Sequence, residues 1–267
     1  MRGRVLIVAG SDSGGGAGIQ ADIKTVTMLD AFAATAITAL TAQNTNGVFG
    51  VLPIDPAFIR QQMEVVLDDI GADAIKTGML HDSAVIETVA AVLEERAPLV
   101  PLVLDPVMVA KGGAPLIQTD AIATLKRRLL PRAAVLTPNL PEAEILAGRR
   151  IADVAAMREA ARALLGLGCG AVLLKGGHLD GDTVHDILAT AAGLREWQSP
   201  RIDSRHTHGT GCTLASGIAA GLAQGLSTEA AVERARGYVQ RAIASAPGIG
   251  HGHGPLDHAH PLHNFSG

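Results

Sequence analysis

The sequence predicts an α/β chain built on a central, mostly parallel sheet with helices on both faces. Three observations carry that expectation. Short apolar runs alternate with amphipathic ones along almost all of the 267 residues, the pattern of repeated strand–helix–strand units. The composition is 48% hydrophobic but only 2% aromatic, so the core must be built from Ala, Val, Leu and Ile, which suits a parallel sheet covered by helices. No Pro/Ser/Gly-rich linker divides the chain. Residues 1–267 therefore read as a single domain, long enough to bury a substantial core.

Taken in order, strands are expected at Arg4–Ala9, Ala34–Ala39, Ala74–Thr77, Leu102–Leu104, Ala134–Leu136 and Ala171–Lys175, with a later pair near Thr183–Leu188 and Leu194–Gln198. Helical patterns fall between them at Ile19–Leu29, Pro56–Ile70, Ser83–Arg96, Asp120–Leu130, Val154–Leu167, Thr213–Gln224 and Glu229–Ala246. The first apolar run, Val5-Leu6-Ile7-Val8, is too short for a signal peptide and is interrupted by Ser11-Asp12-Ser13, so it reads as a first strand. No stretch of about 18 apolar residues is present to span a membrane. A net charge of −4 leaves no basic footprint for nucleic acid, and one Trp, one Tyr and four Phe supply few stacking platforms. Cys169 and Cys212 could form one disulfide, but nothing else suggests a secreted scaffold. Both read as reduced thiols of a cytoplasmic protein.

Ligands of such sheets bind beyond the carboxyl ends of the strands, so the residues that follow each strand are the candidates. After the first comes Gly10-Ser11-Asp12-Ser13-Gly14-Gly15-Gly16-Ala17-Gly18-Ile19-Gln20-Ala21-Asp22. It matches neither the dinucleotide pattern, because Ile19 stands at the third glycine position, nor the ATPase P-loop. After the second, Gln43 and Asn44 offer paired donors and acceptors suited to the edge of a heterocycle. After the third, Met79 could pack on a flat ring or simply fill a gap. Asp105-Pro106-Val107-Met108 and the run Lys111-Gly112-Gly113 follow the fourth strand, and Thr137-Pro138-Asn139-Leu140-Pro141-Glu142 follows the fifth. Asp105 and Glu142 would then stand at the same end of neighbouring strands as a Mg²⁺ candidate, although either carboxylate alone would also suit a turn or a helix cap. The sixth strand ends in Lys175-Gly176-Gly177-His178, a candidate nucleotide contact. His251, His253, His258, His260 and His263 crowd the C-terminal tail, about 251–267, which is expected to be partly docked and partly flexible.

The most informative stretch is Asp203-Ser204-Arg205-His206-Thr207-His208-Gly209-Thr210-Gly211-Cys212-Thr213, followed at once by a helical run in which Leu214, Ile218, Leu222 and Leu226 recur every four residues. A helix first turn offers free N–H groups and the positive end of the dipole, and two glycines let that backbone approach an anion. Cys212 falls in this first turn, where a thiol pKa is lowered. An anion pocket beside an ionisable group is what phosphoryl transfer requires. The same residues also fit a plain glycine-softened loop with a buried cysteine.

Seven blocks in the same order resemble the hydroxymethylpyrimidine/phosphomethylpyrimidine kinases of thiamine biosynthesis, within the ribokinase-like superfamily. They are Gly15–Thr25, Ala42-Gln43-Asn44-Thr45, Lys76-Thr77-Gly78-Met79-Leu80, Asp105-Pro106-Val107-Met108, Thr137–Ala143, Lys175-Gly176-Gly177-His178 and His206–Thr213. The resemblance implies a ribokinase-like fold with no separate lid domain, since only a helix-length segment separates Gly18 from the second strand. It implies that Gln43 holds the pyrimidine edge, that Gly10, Met79 and Val107 line the ring pocket, and that Asp22 meets the amino or hydroxymethyl group. Asn139, Glu142, Lys175, Thr207 and His208 would bind ATP, and Asp105 with Glu142 would hold Mg²⁺. Gly209, Thr210 and Gly211 would form the anion hole, with Cys212 where sugar-kinase relatives carry an aspartate base. Gly14 and Ala114 depart from the family's usual serine and aspartate. A homodimer is implied as well.

The expected reaction is ATP-dependent phosphorylation of 4-amino-5-hydroxymethyl-2-methylpyrimidine and then of its monophosphate. Positioning and charge neutralisation should supply most of the rate, so the anion hole should matter more than the base. Cys212 is expected to be a partly ionised thiol. Alternatives are a pyridoxal kinase of the same superfamily and a pyrimidine-binding sensor without catalysis.

Overall fold

The computed structural model describes residues 1–108 and 117–263, without the side chain of Thr119. The run Lys111-Gly112-Gly113 and Ala114 lie outside the described residues. The frame is an eight-stranded sheet in the order β10-β9-β8-β7-β6-β5-β1-β2. Its strands are β1 (Arg4–Ala9), β2 (Phe32–Ile37), β5 (Ala74–Thr77), β6 (Leu102–Leu104), β7 (Ala133–Leu136), β8 (Ala171–Lys175), β9 (Thr183–Thr190) and β10 (Gly193–Pro200). β2, β1, β5, β6, β7 and β8 run parallel, and β9 and β10 close one edge antiparallel.

Alternation along the strands separates two cores. Leu6 and Val8 of β1, with Leu102 and Leu104 of β6, face one side; Val5, Ile7 and Val103 face the other. The first core is covered by α2 (Pro56–Asp69), α3 (Ser83–Arg96), α4 (Thr119–Arg128), α5 (Leu140–Ala147) and α6 (Val154–Leu165). The second is covered by α1 (Gly18–Met28), α7 (Thr210–Ala223) and α8 (Thr228–Ala244). Strands buried on both faces read as unbroken apolar runs, which is why these segments were legible. The chain leaves β1 for β2 by way of α1 and returns past β1 to β5 by way of α2. This reversal is a topological switch point, where an open α/β sheet leaves a crevice.

Two elements depart from the sequence expectation. The segment expected as a strand at Ala34–Ala39 followed by a loop is instead β2, then a separate antiparallel ribbon of β3 (Ala39–Asn44) and β4 (Gly47–Pro53). The ribbon carries Gln43 over the crevice mouth. The Thr137–Glu142 station, read as a loop, opens the short helix α5, whose eight residues are too few to give a periodic signal. The tail is docked through its described part. His253 N–H donates to Thr45 O at 2.9 Å, and His258 Nε2 lies 2.9 Å from Thr213 Oγ1. No cluster of three metal-ligating side chains occurs among the described residues.

α7 and α8 approach closely because small residues face each other. A Cβ at Gly221 would lie 2.6 Å from Ala231 Cβ and 3.0 Å from its Cα. Gly237, also within a helix, has nothing within 4 Å of that position. Gly221→Ala is therefore expected to lower stability by about 1–3 kcal/mol through overpacking. Gly237→Ala should raise it by roughly 0.5–1 kcal/mol through helix propensity alone. Urea denaturation of the two variants checks this opposition of sign.

Candidate active site

At the carboxyl ends of β1, β5, β6, β7 and β8 lies a cavity of about 1060 Å³. Two helix N-termini converge on it. Most helices here carry a side-chain cap: Asp55 on α2, Asp82 on α3, Asn139 on α5, Asp153 on α6 and Ser227 on α8. α1 and α7 begin instead at Ala17 and Gly209 with no side-chain cap. In α7 the N–H groups of Gly211 and Cys212 have no partner four residues back within the helix, and nothing from a cap side chain covers them.

The α7 turn is seated by backbone against backbone. Gly209 has φ +83°, and a Cβ there would fall 1.8 Å from Gly16 O. No other residue fits. The Gly14–Gly18 loop is in turn organised by the buried carboxylate of Asp12, which accepts from the N–H groups of Gly14 (2.8 Å), Gly16 (3.1 Å) and Ala17 (2.8 Å). Asp12 Oδ2 also lies 3.0 Å from His208 Nε2. Burial alone would raise this carboxyl, but His208 and the loop amides outweigh it and hold it below the usual range.

One part of the cavity is lined by Gly10, Gln43, Met79 and Val107, which the fold brings together. Met79 packs against Gly10, its terminal Cε lying where a Cβ there would come within 2.5 Å. His208, expected among the nucleotide contacts, lines the cavity but directs its ring at Asp12 and at Gln43 Nε2 (3.1 Å), so it braces the Gln43 side. Asp22 does not reach the cavity. It is wholly buried, with Lys76 Nζ at 2.8 and 3.0 Å and Ser216 Oγ donating at 2.7 Å. The expected contact of Asp22 with substrate is corrected by this pairing. Lys76, to which the sequence reading gave no role, takes its place at the cavity wall.

Another part gathers Asp105, Asn139, Glu142, Lys175 and Thr207. Lys175 Nζ lies 3.2 Å from Asp105 Oδ1, which also accepts from Thr137 Oγ1 at 3.2 Å. Asn139 and Glu142 form a reciprocal capping box at the start of α5. Glu142 is pushed up to about 7, first by burial and then by Asp105, with Lys175 opposing. Lys175 is held above the ordinary lysine range because Asp105 and Glu142 outweigh its burial. A further wall of Val184, Pro200, Ile202, Val239 and Ile243 is apolar and suits a flat base.

Cys212 lines the cavity. The expected partly ionised thiol is corrected. Burial pushes it up to about 12, Asp22 and Asp105 adding to this while Lys76 opposes. The helix N-terminus alone does not overcome desolvation. Cys169 is buried apart from the site, and both thiols are free.

The family model for phosphomethylpyrimidine kinase matches residues 12–257. A thiamine biosynthesis bifunctional protein ThiED of Geobacter sulfurreducens is 55% identical over 259 residues, 96% of this chain, which spans only 52% of that protein's length. A Bacillus subtilis hydroxymethylpyrimidine/phosphomethylpyrimidine kinase is 46% identical, with 96% of this chain and 94% of that one covered. In structure, an ADP complex of Bacillus subtilis pyridoxal kinase superposes with a TM-score of 0.91 at 36% identity, covering 99% of this chain and 100% of that one.

Glu142 has a consequence for stability that is separable from function. Its proton is bound more tightly in the folded than in the unfolded chain, so its contribution favours the fold below the ordinary carboxylate range and is lost as pH rises through about 7. Glu142→Gln keeps a capping-box acceptor and removes that loss. The unliganded variant is expected to unfold several degrees above the parent at about pH 8 and together with it near pH 4. Thermal unfolding at both values checks the expectation; a difference that is the same at each would contradict it.

Proposed function

The chain belongs to the phosphomethylpyrimidine kinase family, and we propose that it transfers the γ-phosphoryl group of ATP to 4-amino-5-hydroxymethyl-2-methylpyrimidine and then to the resulting monophosphate. The observation that carries this reading is the opposition, across one cavity, of the uncapped α7 amides to Asp105, Glu142 and Lys175. Phosphoryl transfer needs charge neutralisation on both sides of the group in flight, with little covalent help from the protein. Gln43, Met79, Val107 and Gly10 would hold the ring against that point. Asn139, Lys175, Thr207 and the apolar wall would hold the nucleotide. His208 would act by bracing Gln43 rather than by touching ATP.

Asp105 and Glu142 fit Mg²⁺ shared with phosphates. Each is an oxygen donor bordering the cavity, and an ion that keeps several of its waters needs few carboxylates. When bound, the ion would supply charge to the phosphate oxygens. Lys175 is placed to do the same from the protein side. Cys212 holds its proton in the unliganded protein, so to act as base it must first give that proton to water, and the resulting thiolate then takes the alcohol proton late in the transfer. The monophosphate step needs no base, because a phosphate monoester with a second pKa of about 6 is largely dianionic at neutral pH.

The 36% identity to a pyridoxal kinase keeps pyridoxal as a second substrate reading. Steady-state assays on the alcohol, its monophosphate and pyridoxal test both. We expect the pyrimidine alcohol to be preferred and Cys212→Ala to slow the first transfer by at least ~10-fold more than the second. Equal losses in both steps would remove the base role. Preference for pyridoxal would reverse the substrate assignment, and no ATP consumption with any of the three would favour a sensor.

We place the protein in the cytoplasm, where free thiols persist, and no helix among the described residues is long and apolar enough to cross a membrane. A homodimer is supported by large apolar side chains left exposed on two elements, Phe49 and Leu52 of β4 and Phe58 and Val65 of α2, at 72, 62, 54 and 58%. Sedimentation should give twice the chain mass, and Phe49→Glu should restore a monomer. A monomeric parent would contradict the assignment.

A further inference from the structure

One buried ion pair stands at the edge of the site, Lys76 bordering the cavity and Asp22 enclosed behind it. Lys76 and Asp22 are both wholly buried, as is Ser216. α1 and α7 lie side by side and are joined where Ser216 Oγ, one helical turn beyond Cys212, donates to Asp22 Oδ1 at 2.7 Å. Lys76 rises from the end of β5 between them, and its ammonium closes on both oxygens of Asp22. The same ammonium would meet a Cβ at Gly78 at 3.0 Å, so it sits directly beneath the cavity floor.

A buried pair of this kind is expensive to desolvate, and apolar residues of the same volume would serve the fold as well or better. Its placement one turn from the reacting thiol calls for a different account. We propose that Lys76 and Asp22 form an electrostatic regulator of Cys212, in which Lys76 draws the thiol toward ionisation and Asp22 restrains Lys76. Both are positioning residues in this proposal, since they act through the sulfur. The inference rests on the reading that Cys212 serves the hydroxymethyl group. The remaining charges that face the sulfur are Asp105, beyond β6, which opposes its ionisation, and Lys175, beyond β8, whose charge the sulfur would in turn favour. Ser216 adds no charge but fixes where Asp22 stands.

The sign of the two effects gives the test. The chain has two cysteines, so in a Cys169→Ala background Cys212 is the only thiol. Its alkylation by iodoacetamide near neutral pH reads the thiolate fraction in the absence of nucleotide and pyrimidine. Asp22→Asn is expected to accelerate alkylation about tenfold and Lys76→Met to slow it about tenfold, one pKa unit in each direction. Ser216→Ala should follow Asp22→Asn by a smaller factor. Lys76→Met combined with Asp22→Asn, which leaves no unpaired buried charge, should remain slower than the parent. If thermal unfolding finds Lys76→Met unfolded, Asp22→Asn and the double variant decide by the same criterion. Rates that move in the same direction in Lys76→Met and Asp22→Asn, or change by less than about twofold in both, would overturn the proposal and leave the pair a structural one. Because no phosphoryl acceptor is present, a failure of the kinase reading would appear in turnover and not in this measurement.

Discussion

Everything at the site depends on where the first turn of α7 is held, and that is decided by a contact between two stretches of main chain. Gly209 lies against Gly16 O so closely that any side chain is excluded. The contact joins the start of α7 to the loop that starts α1, and Asp12 locks that loop by gathering its amides and the ring of His208. Two helix N-termini are thus aimed into one cavity without a capping side chain on either. Asp, Asn or Ser caps five of the other helices, α5 at the cavity edge among them, while α4 has no side-chain cap. The bare first turns of α1 and α7 that face the cavity leave main-chain donors free for an anion.

Charge at the cavity is arranged in two layers. In the upper layer Asp105, Glu142 and Lys175 border the open space, where burial first and Asp105 second raise Glu142. In the lower layer Lys76 and Asp22 are fully enclosed. Cys212 stands between these layers, and its neutral state follows from burial and from two nearby carboxylates rather than from its helix. The helix dipole is a modest term, and desolvation of a thiolate is a larger one.

The layered sheet was legible in the sequence because strands buried on both faces are runs of Val, Ile, Leu and Ala that little else produces. Helix α7 was legible from its four-residue leucine repeat, and Gly209-Thr210-Gly211 from the glycines before it. The ribbon was not, since Thr41-Ala42-Gln43-Asn44 has the composition of a turn and its partner strand is largely exposed. Asp22 was read by its place in a motif as a substrate contact. Its true partner, Lys76, lies 54 residues away, and only the fold brings the two together. His208 was read as a nucleotide contact from its place beside the glycines, and spacing does not report that its ring lies 3.0 Å from Asp12. The state of Cys212 depends on burial, which spacing does not report.

The most direct test of the account is the structure of the protein with ADP, Mg²⁺, the pyrimidine alcohol and a planar metal fluoride that mimics the phosphoryl group in transfer. The account expects the fluoride within about 3.2 Å of the main-chain N–H groups of Gly211 and Cys212, between the alcohol and ADP, with the metal bordered by Asp105 and Glu142. A fluoride held by side chains alone, with those amides turned to protein or solvent, would contradict it.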